Sequence, residues 1–392
     1  MKIIPIEVPS SEEILVKYSQ EAKTCYQKST GLRSAAVSEE QKQALLDQAA
    51  RLNADGHHSP LEFTRFHFFV EDASKFILIL MTTVDIPYNA MARSLRFREP
   101  GAPGYSGIDY DYCDKWRVIF SDLIRAEYGD IPDRTLETDA NQNSRGFVNL
   151  FSPSYSFDYY VDTRNLCYLI NWLNDFASTD SGDSLFMSLA RAQVSDLALQ
   201  LKEMCPLADV IKDNKGGSLD LFINTIPAAS YGRSFTHNFK DISFDCAAHI
   251  VRHRKDMRYW VYFDEKRRDY YAAPILRKNP ELYAEYVRDM DKLSDLGMIP
   301  GASLMTLSAT GNYKSVMWSL LERAECGSVL LETQRAYQNL WKEYHNSLDV
   351  VLYPEVMLEL DKYYKVPKGA TGLFTCQHPC YWGCGGYEDR LV

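Results

Sequence analysis

The sequence lacks an excess of positive charge. Its 43 lysines and arginines are outnumbered by 53 aspartates and glutamates, and the formal net charge is -10. Proteins that bind DNA or RNA polymers usually carry a basic stripe, so this balance argues against strong polymer binding. A local basic pocket for a small anionic ligand is still compatible with an acidic chain.

The sequence also lacks an uninterrupted apolar run of about 18 residues, the length that a membrane-spanning helix needs. The apolar run over residues 75–84 is too short to span and is predicted to be a buried element. The first residues do not show the charged, apolar and cleavage-site regions of a secretory signal. We therefore expect an intracellular, cytoplasmic protein without a membrane segment.

Several familiar catalytic motifs are missing: there is no glycine-rich dinucleotide fingerprint, no P-loop and no Gly-x-Ser-x-Gly. The first six of the nine cysteines are scattered singly, as expected for reduced core thiols. The last three form a cluster with a histidine, and the four residues are Cys376, His378, Cys380 and Cys384. Thiolates and an imidazole are ligands for zinc or an iron–sulfur cluster, and reduced thiols in a loop are the alternative.

The most informative segment that is present is Arg252-His253-Arg254, directly after the apolar stretch 244–251. Guanidinium groups offer a planar fork of donors that matches phosphate oxygens. Two guanidiniums and an imidazole at the mouth of a buried segment would suit a diphosphate. A solvated basic cluster is the alternative for these three residues taken alone.

An internal duplication is visible at low similarity. Residues 59–84 resemble residues 229–254, with an aromatic alternating run, an acidic residue (Asp72 or Asp241) and an apolar stretch in both. Downstream, residues 162–173 resemble residues 312–323, and two segments ending at Pro206 and Pro354 form a third pair. Three pairs in the same order favour two copies of one domain over coincidence among amphipathic segments.

Each copy is predicted to contain a strand, a turn and helices. The run EFTRFHFFVE alternates and reads as a strand, and Ser74 or Ser243 would then cap an apolar helix. Residues 164–177 and 313–345 show helical spacing. A linker is predicted near 213–220, where Gly, Asn and Asp cluster. The predicted fold is α+β in two tandem domains, each a small antiparallel sheet with long helices, at 1–218 and 219–354, followed by a tail at 355–392.

These segments resemble the flavin-dependent thymidylate synthases (ThyX). GHHSPLEFTRFHF is similar to that family's His-x-Ser/Thr-Pro-x-Glu segment, and RHRKDM is similar to the start of its Arg-His-Arg-x-x-Ser-x-Asn-Glu-x-Ser-x-Arg signature. Residues 298–335 are similar to its C-terminal block, which contains Asn-x-Arg-Ser. The divergent match covers most of both copies, and its most specific parts are the Arg-His-Arg start and the Asn-x-Lys-Ser block.

The resemblance implies a homodimer that forms a pseudo-tetramer, because members of the family are usually single-domain homotetramers. FAD and the nucleotide would bind where domains meet. Reduced flavin would provide a hydride, and methylenetetrahydrofolate would provide the carbon placed on C5 of a dUMP-like pyrimidine nucleotide. NADPH is a further expected cosubstrate. The implied class is a flavoprotein methyltransferase of nucleotide biosynthesis.

The first copy retains the half of the motifs that lies near the flavin, at His57, Ser59 and Glu62. Its Arg-His-Arg positions are occupied by residues 82–84, Thr-Thr-Val. Three residues match substrate-binding positions of the family, and they are Tyr88, Asn89 and Arg164. Asp162 stands for the family's Asn, and Leu173 stands for the Arg that helps to activate the pyrimidine.

The second copy retains the complementary half. The resemblance assigns cofactor binding to Arg252, His253, Arg254, Asn312 and Lys314, where lysine keeps the charge of the family's Arg without its bidentate geometry. It assigns Arg323 to the substrate and to catalysis, because a fixed cation stabilises charge that develops on a pyrimidine ring. Glu62 is the second catalytic candidate. Complementary loss is what a site shared by both copies would permit.

Some residues depart from the family. After Arg254 the signature expects Ser, Asn, Glu, Ser and Arg, whereas this chain has Met257, Tyr259, Trp260, Tyr262 and Asp264. An Asp at the Arg position would repel a nucleotide phosphate. The substrate is therefore expected to differ from ordinary dUMP, with a hydroxymethylated or otherwise modified product.

Structural alternatives stand beside these assignments. Arg323 would equally suit an ion pair on a helix surface with Glu322 or Glu325, and Glu62 would suit an exposed carboxylate of a strand. Loss of the signature in both copies also motivates a second hypothesis, a catalytically inactive nucleotide-binding or scaffold protein.

Overall fold

The computed structural model describes residues 1–22, 38–54, 57–84, 86–93, 106–178, 184–211, 234–251, 257–312, 320, 323–327, 329–346, 362–363, 365–371 and 390–392. The strands are β1 (Lys2–Glu7), β2 (Arg65–Ser74), β3 (Tyr88–Arg93), β4 (Pro153–Asp162), β5 (Ser234–Ser243), β6 (Met257–Tyr262) and β7 (Leu304–Asn312). The α-helices are α1 (Ser11–Ala22), α2 (Glu39–Ala54), α3 (Lys75–Thr83), α4 (Ile108–Tyr128), α5 (Asp133–Ser144), α6 (Thr163–Ser178), α7 (Leu185–Met204), α8 (Phe244–Val251), α9 (Pro274–Arg277), α10 (Pro280–Asp295) and α11 (Leu331–Asn346).

The fold is α+β with small antiparallel sheets, as the sequence predicts. The predicted strand is observed as β2, although it begins at Arg65 because Ser59–Phe63 form a 3-10 turn. The helix predicted from residue 164 is α6, and the end of the segment 313–345 is α11. Among the described helices, none is long and apolar enough to cross a membrane.

The chain divides into two compact units. Unit 1 comprises Met1–Ala73, Val84–Arg93 and Tyr155–Leu219, and unit 2 comprises Ser74–Thr83, Ser94–Ser154 and Asp220–Val392. Helix α3 thus belongs to unit 2, although β2 before it belongs to unit 1 except for its last residue, Ser74. The predicted domain boundaries at 218 and 354 were drawn from the sequence repeats and not from compact units, and they stay a prediction. The linker predicted near 213–220 lies outside the described residues.

Unit 1 is built on a sheet with the strand order β1-β2-β4-β3. Alternate residues of β2 (Phe66, Phe68 and Val70) are fully buried, because successive side chains of a strand point to opposite faces. The ring of Phe68 lies 5.5 Å from that of Tyr159 on β4. Helix α6 buries apolar side chains at helical spacing, and α7 packs against it.

Unit 2 contains a second sheet with the order β5-β7-β6 and an aromatic core beside it. Trp116 of α4 lies 5.6 Å from Phe147 and 5.1 Å from Tyr286 of α10, measured between ring centroids. The indole Nε1 of Trp116 donates to Asp289 at 3.2 Å, so its polar edge is satisfied inside the core. Aromatic packing therefore holds α4 against α10.

The same strand-to-helix turn occurs twice. Asp72 before α3 and Asp241 before α8 have φ angles of 52° and 54°, in the left-handed region that Asp tolerates better than most residues. The hydroxyls of Ser74 and Ser243 accept the backbone N–H groups of Ile77 and Cys246, at 3.1 Å and 3.0 Å. Both predicted caps are therefore confirmed.

Helices α3 and α8 meet inside unit 2 through buried ions. Lys75, at the start of α3, places its Nζ 2.7 Å from Asp245 Oδ1, and Arg145 Nε lies 3.2 Å from the same oxygen. All three side chains are at least nine-tenths buried. A Cβ at position 301, which is glycine, would lie 2.0 Å from Lys75 Nζ, so a side chain there would have to displace the lysine from its present position. One carboxylate thus serves two buried cations.

This arrangement predicts that removing Asp245 destabilises the protein more than removing Lys75. Asp245→Asn leaves two buried cations without a carboxylate and should lower the free energy of unfolding by about 3–5 kcal/mol. Lys75→Met leaves Asp245 paired with Arg145 and should cost less. Urea denaturation measures both variants, and Lys278→Met, which removes an exposed ion pair with Glu127, is the control with an expected cost under about 1 kcal/mol. An equal cost for the two buried variants would contradict the shared role of Asp245.

Candidate functional site

Several of the predicted site residues come together at one end of the sheet of unit 1. Strand β4 ends at Asp162, α6 begins at Thr163, and β3 begins beside them because Tyr88 pairs with Val161. The backbone N–H and the hydroxyl of Thr163 both donate to the carbonyl of Thr64, at 2.8 Å and 3.1 Å. These bonds fix the start of α6 against the 3-10 turn that carries Glu62.

An ion pair between Glu62 and Arg164 is the centre of this site. Glu62 lies in the turn Ser59–Phe63, and Arg164 lies in the first turn of α6. Arg164 Nη1 donates to Glu62 Oε1. The guanidinium side chain is 13% exposed and the carboxylate side chain is 46% exposed. The site therefore presents a half-exposed carboxylate backed by a largely buried cation.

Asp162 borders the ion pair and caps α6. Its two carboxylate oxygens accept the backbone N–H of Asn165 at 2.9 Å and the side-chain amide of Asn165 at 2.6 Å. Burial raises the pKa of Asp162, while the two hydrogen bonds from Asn165 lower it and the charge of Glu62 raises it further. Asp162 stands at the position of the family's Asn, and its carboxylate is used in hydrogen bonds at the start of α6.

The other predicted residues of the first copy lie around this end of the sheet. The carbonyl of His57 accepts the hydroxyl of Tyr18 at 2.9 Å, and Ser59 is exposed at the start of the 3-10 turn. Tyr88 stacks on Tyr159 with ring centroids 5.0 Å apart and an interplanar angle of 6°. Asn89 follows Tyr88 on β3 and is exposed. Glu62 is exposed, as the structural alternative expects, but it lies in a turn and not on a strand, and it pairs with Arg164.

The predicted residues of the second copy are mostly outside the described residues. This holds for Arg252, His253, Arg254 and Lys314, and for the tail residues Cys376, His378, Cys380 and Cys384. Asn312 is the last residue of β7 and pairs with Ser234. Arg323 is half-buried in unit 2. Their roles stay predictions.

Two buried charge groups of unit 2 were missed by the sequence reasoning. One is the cluster of Lys75, Arg145 and Asp245, and the other is Glu332 at the start of α11. Glu332 accepts the backbone N–H of Ser243 at 2.6 Å and contacts the Ser243 hydroxyl at 2.5 Å through its other oxygen. Burial raises the pKa of Glu332 to about 8. In the sequence, the sign of the first cluster was one charged residue in each of the two matched apolar segments, namely Lys75 and Asp245.

The cysteines of the described chain behave as core thiols. Cys113, Cys167, Cys205 and Cys246 are buried, and Cys326 is half-buried. Burial raises the pKa of Cys113 to about 12, so this thiol is neutral near pH 7. Within the described residues, no group of three His, Cys, Asp or Glu side chains could hold a metal ion.

No protein-family model matches the sequence, and no curated protein matches it. A solved structure of flavin-dependent thymidylate synthase ThyX from Helicobacter pylori, complexed with FAD and dUMP, is similar over 54% of this chain and 99% of its own, with 16% identity and a TM-score of 0.34. A UMP/dUMP methylase from Streptomyces cacaoi, bound with 5-Br dUMP, is similar over 53% of this chain and 92% of its own, with 14% identity and a TM-score of 0.33.

The exposure of Glu62 predicts a small contribution of its ion pair to stability. Glu62→Gln should lower the free energy of unfolding by less than about 1 kcal/mol, because solvent screens a half-exposed pair. Urea denaturation measures the change, with Glu7→Gln on exposed β1 as the matched control. A loss of several kcal/mol would show that the pair holds the fold together.

The raised pKa of Glu332 predicts that the stability of the protein falls as the pH rises. The folded state holds its proton up to about pH 8, whereas the unfolded state releases it near 4.5, so stability decreases between these values and then levels off. Glu332→Gln imitates the protonated acid and should remove this decrease. Thermal unfolding from pH 5 to pH 8 measures the difference between the two proteins, and parallel profiles would contradict the raised pKa.

Proposed function

We propose that this chain is a flavin-dependent enzyme that transfers a one-carbon unit to C5 of a pyrimidine nucleotide. The contact between Glu62 and Arg164 is the observation that carries the proposal. The resemblance to ThyX assigns Glu62 to the flavin and Arg164 to the nucleotide substrate, from separate motifs that lie 102 positions apart. Their meeting at one end of a sheet supports that assignment.

The groups at this site fit an isoalloxazine–ribityl cofactor chemically. The half-exposed carboxylate of Glu62 can accept a hydrogen bond from a ribityl or ribose hydroxyl, and Arg164 orients that carboxylate. Arg252, His253 and Arg254 are proposed to supply cations for a diphosphate, with help from Asn312 and Lys314. Bound FAD, once reduced by NADPH, would supply a hydride, while the protein holds and orients the reactants.

The two sheets support the proposal that the chain contains two copies of one domain. In unit 1 the order β2-β4-β3 has the same sequence of connections as β5-β7-β6 in unit 2. Asp72 and Asp241 share a left-handed conformation, and Ser74 and Ser243 share a capping role. Two chains would then assemble as a homodimer with pseudo-tetrameric symmetry.

The substrate is proposed to be a dUMP-like nucleotide with an altered phosphate or base environment. Asp264 stands where the family signature has Arg, and Trp260 and Tyr262 of β6 are 55% and 70% exposed. Methylenetetrahydrofolate is the proposed carbon donor, and Arg323 is proposed to polarise the pyrimidine. Tyr88, Asn89 and Arg164 are the proposed substrate contacts of the first copy.

A second candidate function is an inactive nucleotide-binding or scaffold protein. Its supporting observation is the loss of the Ser-x-Asn-Glu-x-Ser-x-Arg residues from both copies. A metal site at Cys376, His378, Cys380 and Cys384 is a separate proposal, which elemental analysis of the purified protein tests. A cytoplasmic location is part of the first proposal.

The flavin proposal predicts a yellow protein whose acid-released cofactor is FAD. Glu62→Ala and Arg252→Ala should each raise the dissociation constant for FAD by about tenfold or more, the effect of losing roughly 1.4 kcal/mol of charge-assisted hydrogen bonding. Visible absorption and fluorescence titration measure this change, and Glu7→Gln should bind FAD as the wild type does.

Two outcomes would count against the proposal. A colourless protein that takes up no added FAD favours the scaffold function. Unchanged FAD binding and turnover in both variants would show that the predicted residues do not form the cofactor site.

A further inference from the structure

Two cysteines of unit 1 lie against each other in its core. Cys167 belongs to α6, and Cys205 directly follows the last residue of α7. Their Sγ atoms are 3.9 Å apart, and both residues are at most 1% exposed. The two positions are 38 residues apart in the sequence, so the contact results from the packing of α7 against α6 and not from a local pattern.

Two other buried thiols of the described chain contact hydroxyl groups instead. The thiol of Cys113 donates to the Ser144 hydroxyl at 3.7 Å, and the Thr333 hydroxyl donates to the sulfur of Cys246 at 3.4 Å. A hydroxyl cannot form a disulfide with a thiol, whereas a second thiol can. The contact of two sulfur atoms in unit 1 therefore has a chemical capacity that these two contacts lack.

The short 3-10 turn after α7, Pro206–Asp209, is held close to α6. The backbone N–H of Cys205 donates to the carbonyl of Leu201 at 2.9 Å, which continues the hydrogen bonds of α7. On the other side of the turn, the side-chain amide of Asn171, one helical turn beyond Cys167, donates to the carbonyl of Ile211 at 3.0 Å. A disulfide has an S–S distance of about 2.05 Å, so the two sulfur atoms need to approach by just under roughly 2 Å.

Cys205 is the thiol of this pair that is suited to react first. The hydrogen bond with Cys167 lowers the pKa of Cys205, burial raises it, and the backbone N–H groups of Leu207 and Ala208 lower it again, so that the net direction is downward. The thiolate is the nucleophilic form of cysteine. The next residue, Pro206, is exposed, so Cys205 lies just beneath the surface. Opening of this one turn, without unfolding of unit 1, admits a small oxidant.

We propose that Cys167 and Cys205 are a modification site, at which hydrogen peroxide forms a reversible disulfide within the chain. The Cys205 thiolate attacks one oxygen of the peroxide, the O–O bond breaks, and the sulfur becomes a sulfenic acid while the other oxygen takes a proton and leaves as water. The Cys167 sulfur then attacks the Cys205 sulfur, the S–S bond forms, and the S–O bond breaks. The departing hydroxide takes the thiol proton of Cys167 and leaves as the second water. Two thiols are thus oxidised, and one peroxide is reduced to two waters.

The disulfide connects α6 to the end of α7 within unit 1. Helix α6 also carries Arg164, nearly one helical turn before Cys167, so the thiol pair and the ion pair of Arg164 with Glu62 share a helix. An external thiol reverses the modification by thiol–disulfide exchange once the turn at Cys205 opens. The proposal does not depend on a bound cofactor.

Peptide mapping of the peroxide-treated full chain tests the proposal. After treatment, N-ethylmaleimide blocks the remaining thiols, and trypsin then yields Cys167 in peptide 165–191 and Cys205 in peptide 203–212. These two peptides should be recovered as one linked species, lighter than their sum by two hydrogen atoms, and dithiothreitol should separate them. Cys113→Ala, which removes a buried thiol beside a hydroxyl, is the matched control and should form the linked species as the wild type does.

Trapping of the sulfenic acid tests which thiol reacts first. Cys167→Ala removes the thiol that resolves the intermediate, so peroxide-treated Cys205 should be labelled by dimedone about tenfold or more above the wild-type level. Cys205→Ala should leave Cys167 unlabelled. Labelling of Cys167 in that variant would overturn the assignment of Cys205 as the attacking thiol. The near-ultraviolet circular dichroism spectrum shows whether each variant remains folded.

Thermal unfolding provides a measurement that does not rely on peptide recovery. A disulfide restricts the unfolded chain, so the oxidised wild type should unfold at a temperature about 5 °C or more above that of the reduced protein. Cys205→Ala treated in the same way should show no such rise.

Two results would overturn the proposal itself. One is the recovery of Cys167 and Cys205 as unmodified thiols under a peroxide treatment that oxidises the half-buried Cys326. The other is a linked species that forms only after the protein is unfolded in urea, because the contact in the folded core is then not its source. Neither result bears on flavin binding, which is measured separately on the reduced protein.

Discussion

The buried carboxylate of Asp245 is the constraint on which the packing of unit 2 depends. It lies within 3.2 Å of charged nitrogens from both Lys75 and Arg145, in surroundings that exclude water. Charges buried in this way are strongly destabilising when one partner is missing, so the helices that carry them have little freedom to separate. Gly301 leaves room for the lysine, since a side chain at this position would displace Lys75 Nζ from its present position.

The segments that precede β4 and β7 complete this constraint with backbone hydrogen bonds. The carbonyl of Leu150 accepts the N–H of Phe76 in the first turn of α3, and the carbonyl of Gly301 accepts the N–H of Asp245 in the first turn of α8. The first N–H groups of a helix have no partner within it, so each loop satisfies donors that would otherwise be buried unpaired. The first turns of α3 and α8 are thus held in unit 2 both by these backbone hydrogen bonds and by the buried ions.

The two sheets share a plan but differ in what they offer at their edges and ends. The first has a fourth strand at its edge and an ion pair of Glu62 with Arg164 at one end. The second has an open cleft beside β5 and a buried acid, Glu332, behind it. These differences fit the proposed division of roles between two copies of one domain.

The sequence by itself determined the local elements: the alternating run of β2, the helical spacing of α6, and the capping by Ser74 and Ser243. These features depend on neighbours within a few residues, so the local pattern of the sequence predicts them. The family resemblance assigned Glu62 to the cofactor and Arg164 to the substrate, and their pairing was found only in the tertiary structure. Only the tertiary structure decided that Lys75 meets Asp245, that Glu332 binds the cap of α8, and that β5 borders a cleft. Such contacts join segments far apart in the chain, where no local pattern specifies the partner and burial alone makes the pairing energetically decisive.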